Sequence, residues 1–221
     1  MTCIAFASSK GGVGKTTSAI VLGTEFAEEI KVWMIDADPA ARLYKWSSIG
    51  PLPKNLTVTK SGGERKILEE INDAKKNADI VLVDLEGSAS RTASFVMGES
   101  DLVIVPSGEE QQDADEALET ISEVALEASS RRKNIPTAVL FCRTNAAVKS
   151  RLEKHIHAEM IKATTVFTTE LHRRTAYSAL HNSGGGLRQL DRSEFSGVDK
   201  AIDNALTLSN EVIKLMTGDL S

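Results

Sequence analysis

The chain has a glycine-rich segment with two lysines near its amino terminus, where residues 10–17 read Lys-Gly-Gly-Val-Gly-Lys-Thr-Thr. The segment follows an apolar stretch at residues 4–7 that is typical of a strand, and a helical pattern begins near Thr17. Glycines let successive backbone N–H groups point inward at phosphate oxygens, and the start of the next helix adds free donors and a positive dipole end. The segment therefore predicts a P-loop, which binds the phosphates of a nucleotide.

Two lysines and a threonine in this loop have the chemistry to hold a nucleotide. Lys15 is placed to reach the terminal phosphates, and the Thr16 hydroxyl is placed to ligate Mg²⁺. The general P-loop pattern has a glycine where this chain has Ser9, and a second lysine, Lys10, comes next. We expect the nucleotide-binding residues to be Gly11, Gly12, Val13, Gly14, Lys15, Thr16 and Thr17.

Three aspartates follow apolar segments that read as strands. Asp36 and Asp38 come after Met34-Ile35, and Asp84 ends an apolar run at residues 80–83. In a parallel sheet, ligands bind at the carboxyl ends of the strands, so these carboxylates are expected beside the P-loop. For Asp36 and Asp38, the alternative is a polar strand end that caps the next helix.

Strands and helices alternate along the whole sequence. Strand-like segments lie at about 3–8, 31–36, 56–59, 79–84, 101–106, 136–142 and 164–168. Helical patterns lie at about 15–29, 40–48, 63–77, 89–99, 111–131, 149–161 and 198–216. This order predicts a single α/β domain over residues 1–221, with a doubly wound, mostly parallel sheet and helices on both faces. Residues 181–186, which end in three glycines, predict a flexible loop.

The composition indicates a cytoplasmic globular protein. Hydrophobic residues make up 41% and charged residues 26%, and no stretch reaches the roughly 18 to 20 apolar residues that cross a bilayer. No signal peptide is expected, since the first strand begins at the amino terminus. Cys3 and Cys142 lie in apolar runs and read as buried free thiols. Without a Cys-x-x-Cys pair, an iron–sulfur or structural zinc site is disfavoured.

The charge is unevenly distributed along the chain. Residues 131–192 contain twelve Lys and Arg against four acidic residues, a net +8, whereas the rest carries −13 of the overall −5. All four histidines also lie in this segment. Such asymmetry favours one face that binds a polyanion. His155 and His157 are two residues apart, which gives poor metal geometry on a helix, so we interpret them as solvated or capping histidines.

The loop at residues 10–17, the Asp-Ala-Asp-Pro at 36–39 and the aspartate after residues 80–83 together resemble the deviant Walker A ATPases of the ParA/MinD superfamily. The resemblance implies that the chain binds ATP with Mg²⁺, hydrolyses it and forms a sandwich dimer only with ATP bound. Lys10 would then reach the nucleotide of the partner subunit, and Lys15 the nucleotide of its own subunit.

The resemblance also implies roles for the acidic residues. Thr16, Asp36 and Asp84 would lie around the metal ion, and Asp38 would position the attacking water. The implied catalytic residues are therefore Lys10, Lys15 and Asp38. Glu86 is an alternative candidate for the base.

The segment 187–192, followed by an amphipathic helix, is similar to short plasmid-partition ParA proteins and to VirC-type proteins of DNA transfer. This similarity implies a nucleoid-associated protein that binds DNA non-specifically and a ParB-like adaptor that stimulates hydrolysis and release. The residues expected to contact DNA phosphates are Arg173, Arg174, Arg188 and Arg192. For each arginine alone, the alternative is an ordinary solvated surface.

Other functions of the same superfamily stay open. One is an ATPase accessory of conjugative DNA transfer. Another is a membrane-cycling regulator of MinD type, which needs a basic amphipathic tail. Here Lys214 is the only basic residue after Lys200, so no membrane partner is expected. Redox and metallochaperone relatives require cysteine ligands that this sequence does not contain.

Overall fold

The computed structural model describes residues 1–87 and 89–218 and has a parallel sheet at its centre. The strands are β1 (Thr2–Phe6), β2 (Val32–Asp36), β3 (Leu56–Lys60), β4 (Ile80–Asp84), β5 (Leu102–Ser107), β6 (Thr137–Thr144) and β7 (Leu171–His172). They lie in the order β3-β2-β4-β1-β5-β6-β7, and all of these neighbours pair in parallel. The predicted doubly wound α/β fold is confirmed.

The central strands are apolar because both of their faces are covered by helices. Every residue of β4 is buried, and so are four of the five residues of β1. Asp84 of β4 pairs in register with Phe6 of β1 on one side and with Asp36 of β2 on the other. The two aspartates therefore reach the carboxyl edge of the sheet at the same level, directly beside the loop that follows β1.

Helices cover the sheet in two layers. They are α1 (Lys15–Phe26), α2 (Arg42–Trp46), α3 (Ile67–Asn77), α4 (Arg91–Glu99), α5 (Gln111–Arg131), α6 (Arg151–Ala163), α7 (Thr175–Ser183) and α8 (Val198–Thr217). One apolar cluster joins a sheet face to α1, α2, α7 and α8, and a second joins the opposite face to α3, α4, α5 and α6. No helix in the described part of the chain is long and apolar enough to cross a bilayer.

Two predictions for the segment after β6 were wrong. Residues 164–168 do not form a strand, because only Val166 makes a bridge, to Val139, and the last strand lies at residues 171–172. Helix α7 was not predicted, and it includes the first part of the expected flexible loop. Its buried residues Ala176, Ala179 and Leu180 do have helical spacing, so the sequence contained a short signal for this helix.

The three glycines after α7 form a closely packed turn. Gly184, Gly185 and Gly186 are all buried, and Gly184 has φ 66 and ψ −177, a conformation open almost only to glycine. A Cβ at Gly184 would lie 2.4 Å from the backbone nitrogen of Gly50, which follows α2. These glycines are therefore required by close backbone packing between the end of α7 and the segment after α2.

We predict that Gly184→Ala destabilises the fold by more than about 2 kcal/mol, because it adds a steric clash to a strained backbone. Gly197→Ala is the matched control. Gly197 also has a positive φ, of 72, but nothing lies within 4 Å of a Cβ built there, so the expected loss is about 1 kcal/mol. Urea unfolding of both variants measures the difference. Equal losses would contradict the close packing.

Candidate functional site

The loop between β1 and α1 has the backbone of a phosphate cradle. Gly12 and Gly14 have φ of 81 and 114, which side chains rarely adopt. A Cβ at Gly14 would lie 3.2 Å from the Cβ of Cys142 in β6, so glycine is also required there by packing. A Cβ built at Gly11 or Gly12 would meet no described atom within 4 Å. The loop thus rests on β6 and faces open space.

Two of the cavities that flank this loop, of about 390 and 300 Å³, share Gly12, Gly14, Thr17 and His181. The larger cavity is also lined by Lys15, Thr16, Asp38, Arg42 and Glu86. The smaller cavity is also lined by Cys142, Arg143, His172, Arg173, Arg174 and Tyr177. The first is rich in the charged groups that handle phosphates, and the second combines apolar and polar surface. Together they provide the space of a nucleotide-sized ligand.

The two lysines of the loop donate to acceptors of the protein itself. Lys15 is 8% exposed, and its Nζ donates to the carbonyl oxygens of Ser8 at 3.0 Å and Lys10 at 2.8 Å. Burial lowers the pKa of Lys15, and the charges of nearby carboxylates, chiefly that of Asp84, oppose this shift. Lys10 forms an ion pair with Asp113 in the first turn of α5, and this contact raises the pKa of Lys10.

Thr16 and Asp84 form the part of the site that fits a metal ion. The Thr16 hydroxyl donates to Oδ2 of Asp84 at 2.7 Å, whereas Oδ1 of Asp84 is buried and has no hydrogen-bond partner among the described residues. Burial raises the pKa of Asp84 to about 7, and the hydrogen bond from Thr16 opposes that shift. A divalent cation would likewise favour the charged carboxylate. A hydroxyl beside an unpartnered carboxylate oxygen is the oxygen-rich donor set that suits Mg²⁺.

Asp36 and Asp38 are both buried, but their carboxylates have different partners. Asp36 accepts from the backbone N–H groups of Asp38 at 3.1 Å and Tyr44 at 2.8 Å, so it fixes the segment between β2 and α2. Burial raises the pKa of Asp36. Asp38 accepts from the N–H of Ala40 at 2.8 Å and from Nη1 of Arg42 at 3.1 Å, and it faces the larger cavity.

The four arginines that we expected at a DNA-binding surface lie in different environments. Arg173 and Arg174 line the smaller cavity beside the P-loop. Arg188 forms an ion pair of 2.6 Å with Glu25, which lies ten residues after Lys15 and so about 15 Å along α1 from the loop. Arg192 pairs with Asp199 at 2.8 Å at the start of α8. The structure therefore does not bring the four arginines together at one point.

A cluster of charged side chains joins α6 to the segments that follow β5 and precede β7, and no local pattern predicted it. The Lys149 ammonium contacts Glu109 at 3.2 Å and also Glu170, and Nε2 of His157 lies 3.0 Å from Glu109. The ring of His157 stacks on Phe141 with centroids 3.7 Å apart. The interpretation of His157 as solvated or capping was therefore wrong, because packing between α6 and β6 leaves its side chain only 14% exposed. His155 is exposed, as expected.

The ligand atoms of three residues lie close enough together to surround a metal ion: Glu109, His157 and Glu170. The cation among them, however, is the ammonium of Lys149. Burial tends to raise the pKa of Glu170, but the hydrogen bond from Lys149 and its charge outweigh burial and lower it. The ammonium therefore already balances the two carboxylates, and we interpret the cluster as structural.

Two further contacts to the P-loop join residues that are more than 90 positions apart. Asp113 pairs with Lys10, and Nε2 of His181 in α7 lies 2.8 Å from the Thr17 hydroxyl. Partial loss of solvent beside the loop lowers the pKa of His181. No local pattern marks either residue, because both are brought to the loop only by the packing of their helices around the sheet.

The chain is similar to known proteins over most of its length. The family described as VirC1 protein matches residues 1–214. Protein ParA of Rhizobium radiobacter is 35% identical over 219 residues, covering 98% of both chains, and Protein virC1 of the same organism is 30% identical over 191 residues, covering 83% of this chain and 82% of the relative. The solved apo structure of McdA from Cyanothece superposes with a TM-score of 0.75 at 18% identity, covering 93% of this chain and 99% of McdA.

We predict that Lys149→Met lowers the free energy of unfolding by about 2 to 4 kcal/mol, since it leaves two largely buried carboxylates without their cation. Glu109 and Glu170 are only 10% and 14% exposed, so water cannot fully replace the ammonium. Lys154→Met, at an exposed position of α6, is the control and should change stability little. Urea unfolding gives both values. A loss no larger than that of the control would refute the structural role.

Proposed function

The chain belongs to the VirC1 protein family, and from this membership we propose that it is a partitioning ATPase of ParA type. It binds ATP with Mg²⁺, dimerises with ATP bound, and binds DNA without reading its sequence. An adaptor of the ParB kind stimulates hydrolysis and releases the DNA. The observation that carries the proposal is the convergence of the P-loop, Thr16, Asp38 and Asp84 at one edge of the sheet.

The buried groups of this edge have complementary tasks in the proposed reaction. Lys15 and the N-terminus of α1 hold the phosphates, and Thr16 with Asp36 and Asp84 holds the metal site. A bound Mg²⁺ supplies positive charge that offsets the charge of the terminal phosphates. Asp38 accepts a hydrogen bond from the attacking water and orients it, a task that needs placement more than a raised pKa.

The proposed role of Lys10 requires an exchange of partners. Its present partner, Asp113, belongs to the same chain, whereas dimerisation would bring the triphosphate of the second subunit within its reach. The Lys10 side chain is 28% exposed, but that of Asp113 is only 11% exposed, so breaking this ion pair has a cost that the triphosphate must offset. The multiply charged triphosphate attracts the ammonium more strongly than one carboxylate does. Dimerisation then depends on bound ATP.

The proposed DNA-binding surface is not confined to one cluster of residues. It rests on the excess of positive charge in residues 131–192 and on Arg188 and Arg192, which lie away from the nucleotide cavities. Both arginines are partly exposed and paired with one acid each, so they can contact phosphates only at the expense of those pairs. Arg173 and Arg174 can add to this surface only from the edge of the smaller cavity.

We expect a labelled DNA duplex of arbitrary sequence to bind at least about 10-fold more tightly with ATP than with ADP or without nucleotide, with affinity falling steeply as salt rises. Fluorescence anisotropy measures both effects. Lys10→Ala should abolish the ATP-dependent dimer and weaken DNA binding while ATP binding persists. Asp113→Ala is the matched control, because it removes the same ion pair and keeps the lysine. A DNA affinity that is the same with ATP, with ADP and without nucleotide would refute the proposal.

Asp38→Asn should lower the rate of phosphate release by about 100-fold while the affinity for ATP stays the same, because the amide keeps the shape of the side chain but orients water poorly. Asp73→Asn, at an exposed position of α3, should leave the rate unchanged. Phosphate release and equilibrium binding of a labelled nucleotide provide the two measurements. Unchanged turnover in Asp38→Asn would move the water-positioning role to another carboxylate, with Glu86 the first candidate.

A further inference from the structure

Arg42 stands at the mouth of the larger cavity, and neither the P-loop nor the acidic motifs assign it a role. It is the first residue of α2, and it lines the cavity together with Lys15, Thr16 and Asp38. Its Nη1 donates to Oδ2 of Asp38 at 3.1 Å. An arginine thus touches the carboxylate that we propose to orient the attacking water.

The backbone of Arg42 is held firmly although its side chain is 69% exposed. Ala41 has φ 53 and ψ 44, a left-handed conformation that turns the chain sharply before α2 begins. The buried carboxylate of Asp36 accepts from the N–H of Tyr44 and so ties the first turn of α2 to the end of β2. The backbone of Arg42 is therefore fixed, while its exposed guanidinium lies within reach of both Asp38 and the cavity.

The charges around the cavity favour a transfer of Arg42 from Asp38 to a phosphate. Asp38, Asp84 and Glu86 face two cations, Lys15 and Arg42. A triphosphate carries several negative charges, and its oxygens match the two parallel N–H groups of a guanidinium better than they match a single ammonium. A phosphate in this cavity therefore competes with Asp38 for Arg42.

We propose that Arg42 is a catalytic residue that binds the terminal phosphate of a nucleoside triphosphate held by its own subunit. The inference rests on the ATPase activity proposed above and deepens it. When the guanidinium moves to the phosphate, Oδ2 of Asp38 loses its partner and is free to accept from the attacking water. One side-chain movement thus adds a cation to the reacting phosphate and releases the residue that positions the water.

The chemical step is hydrolysis. The water oxygen forms a bond to the terminal phosphorus while the bond from that phosphorus to the bridging oxygen breaks. The bridging oxygen leaves with its electron pair as part of ADP, and a proton of the water ends on the released phosphate. Negative charge shifts onto the bridging oxygen and the terminal oxygens during this step, and the contact with Arg42 offsets it.

The test compares Arg42→Ala and Arg42→Lys with Lys45→Ala, a control that removes an exposed cation from the same helix. We expect kcat for ATP to fall about 10- to 100-fold in Arg42→Ala, with partial recovery in Arg42→Lys and no change in the control. The affinity for ADP should stay the same in all three. Binding of ADP with aluminium fluoride, which mimics the phosphate in transfer, should weaken in Arg42→Ala by a factor similar to the loss in kcat.

A second measurement separates contact with phosphate from an effect through Asp38. In an Asp38→Asn background, Arg42→Ala should still weaken the binding of ADP with aluminium fluoride. If the second change has no further effect there, Arg42 acts only by positioning Asp38, and the proposal is wrong. Faster turnover of Arg42→Ala would also overturn the proposal, because the ion pair between Arg42 and Asp38 would then hold back Asp38 instead of assisting the reaction.

Two outcomes separate the role of Arg42 from the ATPase activity on which it rests. A protein that hydrolyses ATP at the same rate with and without Arg42 refutes the role of Arg42 and leaves the ATPase proposal standing. A protein that neither hydrolyses ATP nor binds ADP with aluminium fluoride refutes both.

Discussion

The hydrogen bond from Thr16 to Asp84 joins the first turn of α1 to the end of β4, and the arrangement of the site depends on it. A carboxylate buried in an apolar sheet is costly unless its oxygens have partners. Thr16 satisfies one oxygen of Asp84, and among the described residues the other oxygen has no partner. Burial raises the pKa of Asp84 to about 7. Such a group reduces stability, and in the proposed reaction it would help to hold a divalent cation.

The remaining donors of the site are held by acceptors from different parts of the chain. Lys15 donates to carbonyls of its own loop, Lys10 to Asp113 of α5, and Arg42 to Asp38 after β2. In the proposed dimer, the triphosphate of the same subunit would take over Lys15 and Arg42, and that of the second subunit would take over Lys10. Nucleotide binding would therefore act on the start of α2 within a subunit and on the first turn of α5 across the dimer.

Local patterns predicted the fold and the centre of the site because the residues involved follow their strands directly. The glycines of the loop, Asp36 and Asp84 needed only the rule that parallel strands end at one edge. The pairing of Lys10 with Asp113 and the burial of His157 depend on how α5 and α6 pack, and no short segment encodes that. The segment expected as a strand at 164–168 does lie beside β6, but only Val166 bridges it, at Val139, and the pairing resumes at residues 171–172, which no short pattern predicts.

Part of the positive charge in residues 131–192 is already paired with acidic residues of the same chain. Among the residues that the structure describes, six of the twelve basic residues in this segment form ion pairs: Arg131, Lys133, Lys149, Lys162, Arg188 and Arg192. Lys149 in particular is used to balance two buried carboxylates. The charge available to a polyanion is therefore smaller than the sequence count. In the proposed dimer two such faces would act together, so a dependence of DNA binding on ATP would follow from charge as much as from shape.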